Sequence, residues 1–249
     1  MFSLNYRTDR GLSFLASCSH ADLKALAEIL MTEKGSRRRT EQLSKEEEFN
    51  EHERNLTQVW YLIAAELQRF GADSVASFFR GGQGVTYREI LSDVCSQWKI
   101  KCRSGESYRS IENRLLLKVL EKSLEGMSNK QRAELVKSAG ANGQYGKINA
   151  ATATSAAVLA VFQAGIAAGG FASYQVAVIA ANAVSKFVLN RGLTLAANAG
   201  LTRTLGVFAG PPGWAISALL TLPAFSGPAY RVVVPAVIYV AYLRAKLDR

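Results

Sequence analysis

Two long uncharged runs in the last 102 residues constrain this chain more than any other feature. Residues 148–185 contain no Asp, Glu, Lys or Arg, and residues 204–230 contain none either. Charged side chains are almost never fully buried unless they are paired. Long runs without them are therefore typical of segments that lie in a protein core or against a bilayer. We therefore expect the second part of the chain to avoid water and the first part to face it.

The charge distribution places the boundary between the two parts near residue 140. Residues 1–147 carry 23 basic and 19 acidic residues, whereas residues 148–249 carry seven basic residues and one acidic residue. Glycines at 140, 143 and 146 indicate a flexible connection. The predicted units are a domain of amphipathic helices over 1–139 with a short helical segment at 1–35, a glycine-rich linker over 140–147, and a hydrophobic helical domain over 148–249.

Apolar residues at helical spacing dominate the first unit. Ser19, Thr86 and Ser128 precede such segments as N-caps, and the last two fit a capping box with Glu89 and Gln131. Another helix is predicted from about His52 to Phe70 with Gly71 as its end, and a further apolar stripe runs from 111 to 124. Sustained period-two alternation is absent. The predicted fold class is all-α, a charged helical bundle followed by an Ala/Gly-rich hydrophobic helical region.

Gly169 and Gly170 divide the first uncharged run into two predicted helices at about 148–168 and 171–189. Each is long enough to cross a hydrocarbon core of about 30 Å, but the first holds nine alanines and only six Ile, Val, Leu or Phe residues. A third helix, buried or interfacial, is predicted to start near Pro235. Stable membrane integration, conditional or peripheral insertion and a packed soluble subdomain all remain open for this half.

Small, aromatic and basic residues of the second half are candidates for close helix packing or membrane contact. Small residues at a spacing of four let helix backbones approach, and basic residues beside apolar runs suit lipid headgroups or solvated helix ends. The candidates are Phe162, Gly165, Gly169, Phe171, Gly192, Gly200, Arg203, Arg231 and Arg244.

Residues suited to catalysis are sparse. The chain has only two histidines, and its three cysteines, Cys18, Cys95 and Cys102, lack a zinc-site spacing, so we predict no catalytic, cofactor or metal site. An enzyme with an unusual site remains a minor hypothesis, and its best candidates are Arg80, Arg88, Glu89 and Asp93.

The basic triplet at 37–39 precedes acidic residues at 46–48, which is typical of a solvated connector; contact with anionic lipid or nucleic acid is the alternative. No nucleic-acid motif accompanies the net charge of +10, so no nucleic-acid partner is expected. An odd number of cysteines and charges at Arg7, Asp9 and Arg10 argue against a secreted protein. We expect the protein to be located in the bacterial cytoplasm, at the cytoplasmic face of the inner membrane, or in both places.

Four groups of residues resemble a known bacterial family. The chain is similar to the uncharacterised YaaW-like proteins in Glu66–Ser74, in Phe79–Gly82, in Tyr87–Leu91 with Asp93–Cys95, and in Gly227–Arg231 with Pro235–Val237. Leu12–Gly35 also resembles a short helical region of that family. The resemblance extends to the ubiquinol–cytochrome c chaperone domain, which implies a helical fold for roughly 40–140 and an assembly role beside a membrane. It carries over no catalytic residue.

The leading functional hypothesis is therefore a non-enzymatic, membrane-associated interaction or assembly protein of chaperone-like type. Its expected partners are the inner membrane or another anionic lipid surface, together with a protein partner or a second copy of the chain. The alternative is a pore-forming or membrane-perturbing effector, in which 148–189 inserts as a hairpin when released.

Overall fold

The computed structural model describes residues 4–33, 35–74, 85–138, 148–168, 174, 176–178, 181 and 229–248. These residues are mostly helical, which confirms the all-α prediction. The helices are α1 (His20–Met31), α2 (Glu47–Glu51), α3 (Trp60–Ser74), α4 (Tyr87–Gln97), α5 (Tyr108–Glu125), α6 (Asn129–Ser138), α7 (Ser155–Ala168) and α8 (Tyr230–Leu247). Short 3-10 turns lie at Ser13–Ser17, Leu43–Lys45 and Leu56–Gln58. Within the described ranges, β1 (Thr32–Glu33) and β2 (Ser36–Arg37) form a two-stranded antiparallel hairpin.

The predicted N-caps are confirmed. The Ser19 hydroxyl accepts a hydrogen bond from the Asp22 N–H at the start of α1. Thr86 and Glu89 form a complete capping box at α4, with each side chain accepting a hydrogen bond from the backbone N–H of the other residue. Ser128 and Gln131 exchange the same pair of bonds before α6. These bonds satisfy N–H groups that the first helical turn leaves without a partner, so each helix begins where the sequence predicts.

Helix α3 differs from its prediction at both ends. It begins at Trp60 instead of about His52, because a 3-10 turn at 56–58 precedes it. It also continues through Gly71 to Ser74, so the prediction that Gly71 ends the helix is wrong. A Cβ atom at Gly71 would lie 2.5 Å from Ile90 Cγ1. The glycine therefore permits the close approach of α3 and α4, and it does not act as a helix stop.

The C-terminal helix α8 lies at the centre of the bundle. Every residue from Val232 to Leu243 is buried, and the helix packs against α1, α3, α4 and α5. A helix that is apolar all round needs such a position. It starts at Tyr230, five residues before the predicted start near Pro235, because the N–H groups of Val232 and Val233 bond to the Ala229 carbonyl. Proline interrupts only one later backbone bond.

Helix α8 packs with helices that lie on the other side of the predicted domain boundary. It belongs by composition to the predicted unit 148–249, but its side chains share one continuous core with helices of the unit 1–139. The composition boundary is therefore not a packing boundary for this helix. Residues 139–147, which contain the predicted linker, and residues 182–228 lie outside the described part of the chain.

Helix α7 is shorter than the predicted helix over 148–168. The Asn149 side chain accepts hydrogen bonds from the N–H groups of Ala151 and Thr152, and this local turn competes with helix. The Thr154 hydroxyl then accepts a bond from the Ala157 N–H and starts α7. Fourteen residues give a helix about 21 Å long. Among the helices that the structure describes, none combines the length and apolar composition that a membrane crossing requires.

Candidate functional site

The hairpin after α1 places several arginines at one edge of the bundle. Gly35 adopts a φ of +81° in its turn, a conformation that glycine accepts without strain. The two strands pair Thr32 with Arg37 and Glu33 with Ser36. The hairpin therefore turns the basic triplet at 37–39 back towards α1 and α3.

Arg38 is held inside this edge of the bundle. Its side chain is only 6% exposed, and its guanidinium donates hydrogen bonds to Glu33 Oε2 at 3.1 Å and to the Thr32 carbonyl at 3.0 Å. The guanidinium carbon also lies 6.0 Å from the centre of the Phe70 ring, at the limit of a cation–π contact. Burial lowers the pKa of Arg38, the charge on Glu33 raises it, and the charge on Arg231 lowers it further. The expectation of a solvated connector is therefore wrong at Arg38.

A pocket of about 560 Å³ opens beside Arg38. Its lining includes Arg37, Arg39, Phe70 and Ala229, which is the residue directly before α8. Arg231 lies at the same edge, with its guanidinium 3.8 Å from Glu33 Oε1 and its side chain 48% exposed. We call Arg37, Arg38, Arg39 and Arg231 the arginine cluster.

Positive charge exceeds negative charge in the arginine cluster. Arg37 pairs with Glu41 at 3.4 Å, and Glu33 lies near both Arg38 and Arg231. Two carboxylates thus face four guanidinium groups, and Arg39 is exposed with no ion pair among the described residues. Among the described residues, the buried Nε of Arg38 has no hydrogen-bond partner. Guanidinium groups bind phosphate and carboxylate oxygens in bidentate geometry, so the arrangement can hold an anionic headgroup.

Four of the predicted packing or membrane residues lie in the described structure. Phe162 and Gly165 are buried residues of α7, which packs against α5 and α6, and Arg231 belongs to the arginine cluster. Arg244 lies inside the bundle. The other five, Gly169, Phe171, Gly192, Gly200 and Arg203, lie outside the described residues.

Arg244 is the centre of a buried network. Its Nε donates to both carboxylate oxygens of Glu112, at 2.9 and 3.1 Å, and its Nη2 donates to the Gly11 carbonyl. The Tyr87 hydroxyl donates to the same carboxylate at 2.8 Å. Burial raises the pKa of Glu112, while Arg244 and Tyr87 act in the opposite direction. These contacts join α8 to α4 and α5, and sequence spacing contains no signal for partners 132 residues apart.

The three described residues of the minor enzyme hypothesis, Arg88, Glu89 and Asp93, each take part in a separate contact. Glu89 completes the capping box of α4, and Asp93 accepts a hydrogen bond from the Tyr230 hydroxyl at 2.8 Å. Arg88 donates to the Glu106 carbonyl and stacks on Tyr108, while Arg80 is outside the described residues. The described residues contain no group of three or more His, Cys, Asp or Glu that could hold a metal ion.

Comparison with known proteins adds a family to these observations. A profile described as a domain of unknown function, DUF3944, matches residues 6–39, a segment that contains α1, the hairpin and three members of the arginine cluster. No solved structure matches the chain.

Similar proteins occur in two bacteria. A UPF0174 protein from Helicobacter pylori strain J99 is 43% identical over 245 residues, covering 98% of this chain and 94% of that protein. A second UPF0174 protein from the same strain is 40% identical over 195 residues, covering 74% and 87%. The UPF0174 protein YaaW from Escherichia coli K12 is 32% identical over 250 residues, covering 97% and 96%. With this identity over nearly its whole length, the chain belongs to the UPF0174 family, which includes YaaW.

Proposed function

We propose that the protein is a non-enzymatic, membrane-associated interaction or assembly protein whose arginine cluster binds anionic lipid headgroups. One observation carries the proposal. Arg37, Arg38 and Arg39 line the same pocket as Ala229, through which the uncharged run 204–230 joins α8, and Arg231 follows two residues later. Basic residues beside an apolar segment are the arrangement that anionic lipid surfaces attract.

The chemistry of the cluster supports this proposal. Arg38 is fixed by Glu33 and the Thr32 carbonyl, so one guanidinium is oriented before any ligand arrives. Arg37 and Arg39 remain exposed beside it and can reach a surface. A basic residue near an anionic bilayer contributes about 1 kcal/mol of binding free energy, and several together give useful affinity.

The buried carboxylates, which bond to other groups of the protein, support the proposed assembly role. Glu66 bonds to Arg69 and the Gln42 N–H, Asp22 bonds to Lys246, and Glu112 bonds to Arg244. These carboxylates stabilise helix packing, and their hydrogen bonds are directed to the protein itself. We propose that this helical scaffold binds a protein partner at the cytoplasmic face of a bacterial inner membrane, which is the assembly role expected from the sequence.

Vesicle binding tests the lipid contact. The purified full chain is mixed with phosphatidylcholine vesicles with and without phosphatidylglycerol, and the bound fraction is measured by flotation. We expect binding only to the anionic vesicles, with a decrease as salt screens the charges. Each of Arg37→Gln, Arg39→Gln and Arg231→Gln should weaken binding about fivefold, which corresponds to about 1 kcal/mol.

Two control variants remove the same charge elsewhere on the surface. Arg10 and Arg54 are exposed residues outside the arginine cluster, so Arg10→Gln and Arg54→Gln should leave vesicle binding nearly unchanged. An equal loss in the control and cluster variants would mean that net charge alone drives binding. Equal binding to neutral and anionic vesicles would also exclude the headgroup contact.

The pore-forming alternative has one observation in its favour. The exposed face of α7 carries only Ala156, Ala160, Gln163, Ala164 and Ala167, so no charge opposes insertion there. Ala164→Asp adds a charge on that exposed face while leaving the buried face of α7 intact. If an inserted hairpin causes toxicity, this variant should abolish both growth inhibition and loss of membrane potential. Unchanged toxicity with Ala164→Asp would exclude the hairpin as its cause.

A further inference from the structure

The guanidinium in the lining of the pocket at the arginine cluster keeps hydrogen-bond donors unused. A guanidinium has five N–H groups, and Arg38 uses one for Glu33 Oε2 and one for the Thr32 carbonyl. Its buried Nε–H has no partner among the described residues. A buried donor without an acceptor is costly, so an oxygen that binds beside this guanidinium gains a hydrogen bond that the protein leaves open.

Two hydroxyl groups add further donors to the same pocket. Ser36 and Thr40 line it and are exposed, and within the described ranges neither side chain forms a hydrogen bond. Hydroxyl groups donate short, strong hydrogen bonds to anionic oxygens. The segment 36–40 therefore places hydroxyl and guanidinium donors around one cavity.

The charge balance of the arginine cluster matches a doubly charged group. Its four guanidinium groups face the carboxylates of Glu33 and Glu41, which leaves an excess of two positive charges. A phosphate monoester carries a charge of about −1.5 to −2 at pH 7 and offers three acceptor oxygens. A phosphate diester carries less charge and has fewer free oxygens, so it would leave part of the positive charge and some of the donors unmatched.

The concave shape favours a phosphate at the end of a ligand. A pocket of about 560 Å³ has room for a terminal phosphate together with part of the group attached to it. A diester phosphate is substituted on two sides, so it cannot enter a concavity as an end group. Phe70 and Ala229 give the pocket an apolar side for the rest of the ligand.

We infer that this pocket binds a phosphomonoester and that Arg38 is the residue that selects it. The inference rests on the proposed headgroup contact and specifies its chemistry. Arg37 and Arg39 neutralise the phosphate, while the hydroxyl groups of Ser36 and Thr40 bind its oxygens. Two sources supply this chemistry: the headgroup of phosphatidic acid and a soluble phosphomonoester such as glycerol 3-phosphate.

Flotation with two anionic lipids tests the lipid source. Phosphatidylcholine vesicles contain either phosphatidic acid or enough phosphatidylglycerol, a diester, to give the same zeta potential. We expect the full chain to bind the phosphatidic acid vesicles about tenfold more tightly. Arg38→Lys keeps the positive charge but removes the planar fork of N–H donors, so the ratio of the two affinities should fall to about one.

A second variant keeps the test decisive if Arg38→Lys does not fold. Ser36→Ala/Thr40→Val changes two exposed residues and should reduce the affinity ratio about threefold, because two hydroxyl donors are lost. Ser104→Ala removes an exposed hydroxyl from the loop between α4 and α5, and it should leave the ratio near the wild-type value. Circular dichroism verifies that each variant is folded.

Isothermal titration calorimetry with glycerol 3-phosphate, and with glycerol as its control, tests the soluble source. Binding of glycerol 3-phosphate by the wild-type chain, and its loss in Arg38→Lys, would assign the pocket to a soluble phosphomonoester. A preference for phosphatidic acid without binding of glycerol 3-phosphate would assign it to the lipid.

Two results would overturn the inference. The first is equal affinity for the two anionic lipids together with no binding of glycerol 3-phosphate; the proposed headgroup contact would then stand without the selectivity. The second is a phosphatidic acid preference that both pocket variants retain in full. Binding of glycerol 3-phosphate without binding to any anionic vesicle would instead remove the proposed headgroup contact and leave the phosphomonoester site.

Discussion

The guanidinium of Arg244 lies inside the bundle because several separate parts of the chain supply its partners. Glu112 provides the carboxylate, Gly11 provides a carbonyl, and the ring of Phe14 lies 4.1 Å from the guanidinium carbon. A buried charge is tolerated only with such compensation. The sequence identified Arg244 as a basic residue beside an apolar run, but the residue that neutralises it is distant in sequence, so no local pattern could predict the pair.

Removing one side of this pair should destabilise the fold strongly. Arg244→Met leaves the Glu112 carboxylate buried without its cation, which costs about 3–5 kcal/mol of unfolding free energy. Urea denaturation followed by circular dichroism measures the loss. Arg109→Met is the matched control, because Arg109 pairs with Asp248 at 3.0 Å with both side chains more than 40% exposed. That variant should lose less than about 1 kcal/mol.

The loss caused by Arg244→Met should also depend on pH. Burial already holds the pKa of Glu112 above its ordinary value, so its contribution to stability is present at acid pH and is lost as pH rises through the raised pKa. Arg244 opposes that rise in pKa, and its removal raises the Glu112 pKa further. The stability difference between wild type and variant should therefore be larger at about pH 8 than at about pH 5. A difference that is constant with pH would contradict this account of Glu112.

At the scale of elements, cap residues predicted where helices begin, whereas apolar spacing without a recognised cap misplaced the starts of α3, α7 and α8. Caps at Ser19, Thr86 and Ser128 act within one turn, so the local sequence contains the whole signal. Gly71 and Pro235 are residues that commonly break helices, but both lie inside helices here. Tertiary packing outweighs these local preferences, because each helix buries apolar surface along its full length.

The packing of α3 against α4 gives a prediction about Gly71. Gly71→Ala would place a methyl group 2.5 Å from Ile90 Cγ1, so the two helices must separate, at a cost of about 1–3 kcal/mol. Ile90→Ala alone leaves a cavity and costs about 2–5 kcal/mol. The double variant removes the two nearest contacts of the new methyl group and leaves Val85 Cγ2 at 2.9 Å, so the combined loss in thermal or urea unfolding should be smaller than the sum. Simple additivity of the two losses would show that the contact between Gly71 and Ile90 is not what limits the helix approach.

At the scale of the whole molecule, composition predicted the helical class but not which parts of the chain pack together. A charge-poor helix can lie in a bilayer or in the middle of a protein, and both positions favour the same residues. Helix α8 takes the central position, where it packs against four helices of the charged region. The arginine cluster also combines residues about 190 positions apart, Arg39 and Arg231, which only the folded chain brings to one edge.

Truncation tests the central role of α8. A chain of residues 1–139 lacks the helix that fills the core between α1, α3, α4 and α5. It should retain helical circular dichroism but lose a cooperative unfolding transition and bind the dye ANS, as loosely packed states do. The full-length chain, treated in parallel, should unfold cooperatively and leave the dye unbound. A cooperative transition in the 1–139 chain would mean that the charged region folds as an independent domain.

Fractionation of untagged protein from bacterial cells tests the proposed membrane association most directly. We expect recovery of the wild-type chain with the inner-membrane pellet at low salt, and a shift of the Arg37→Gln/Arg39→Gln/Arg231→Gln variant towards the supernatant. Alkaline carbonate then separates attachment through the arginine cluster alone, which it releases, from insertion of apolar chain, which it does not. Recovery of the wild-type protein wholly in the supernatant would contradict the account.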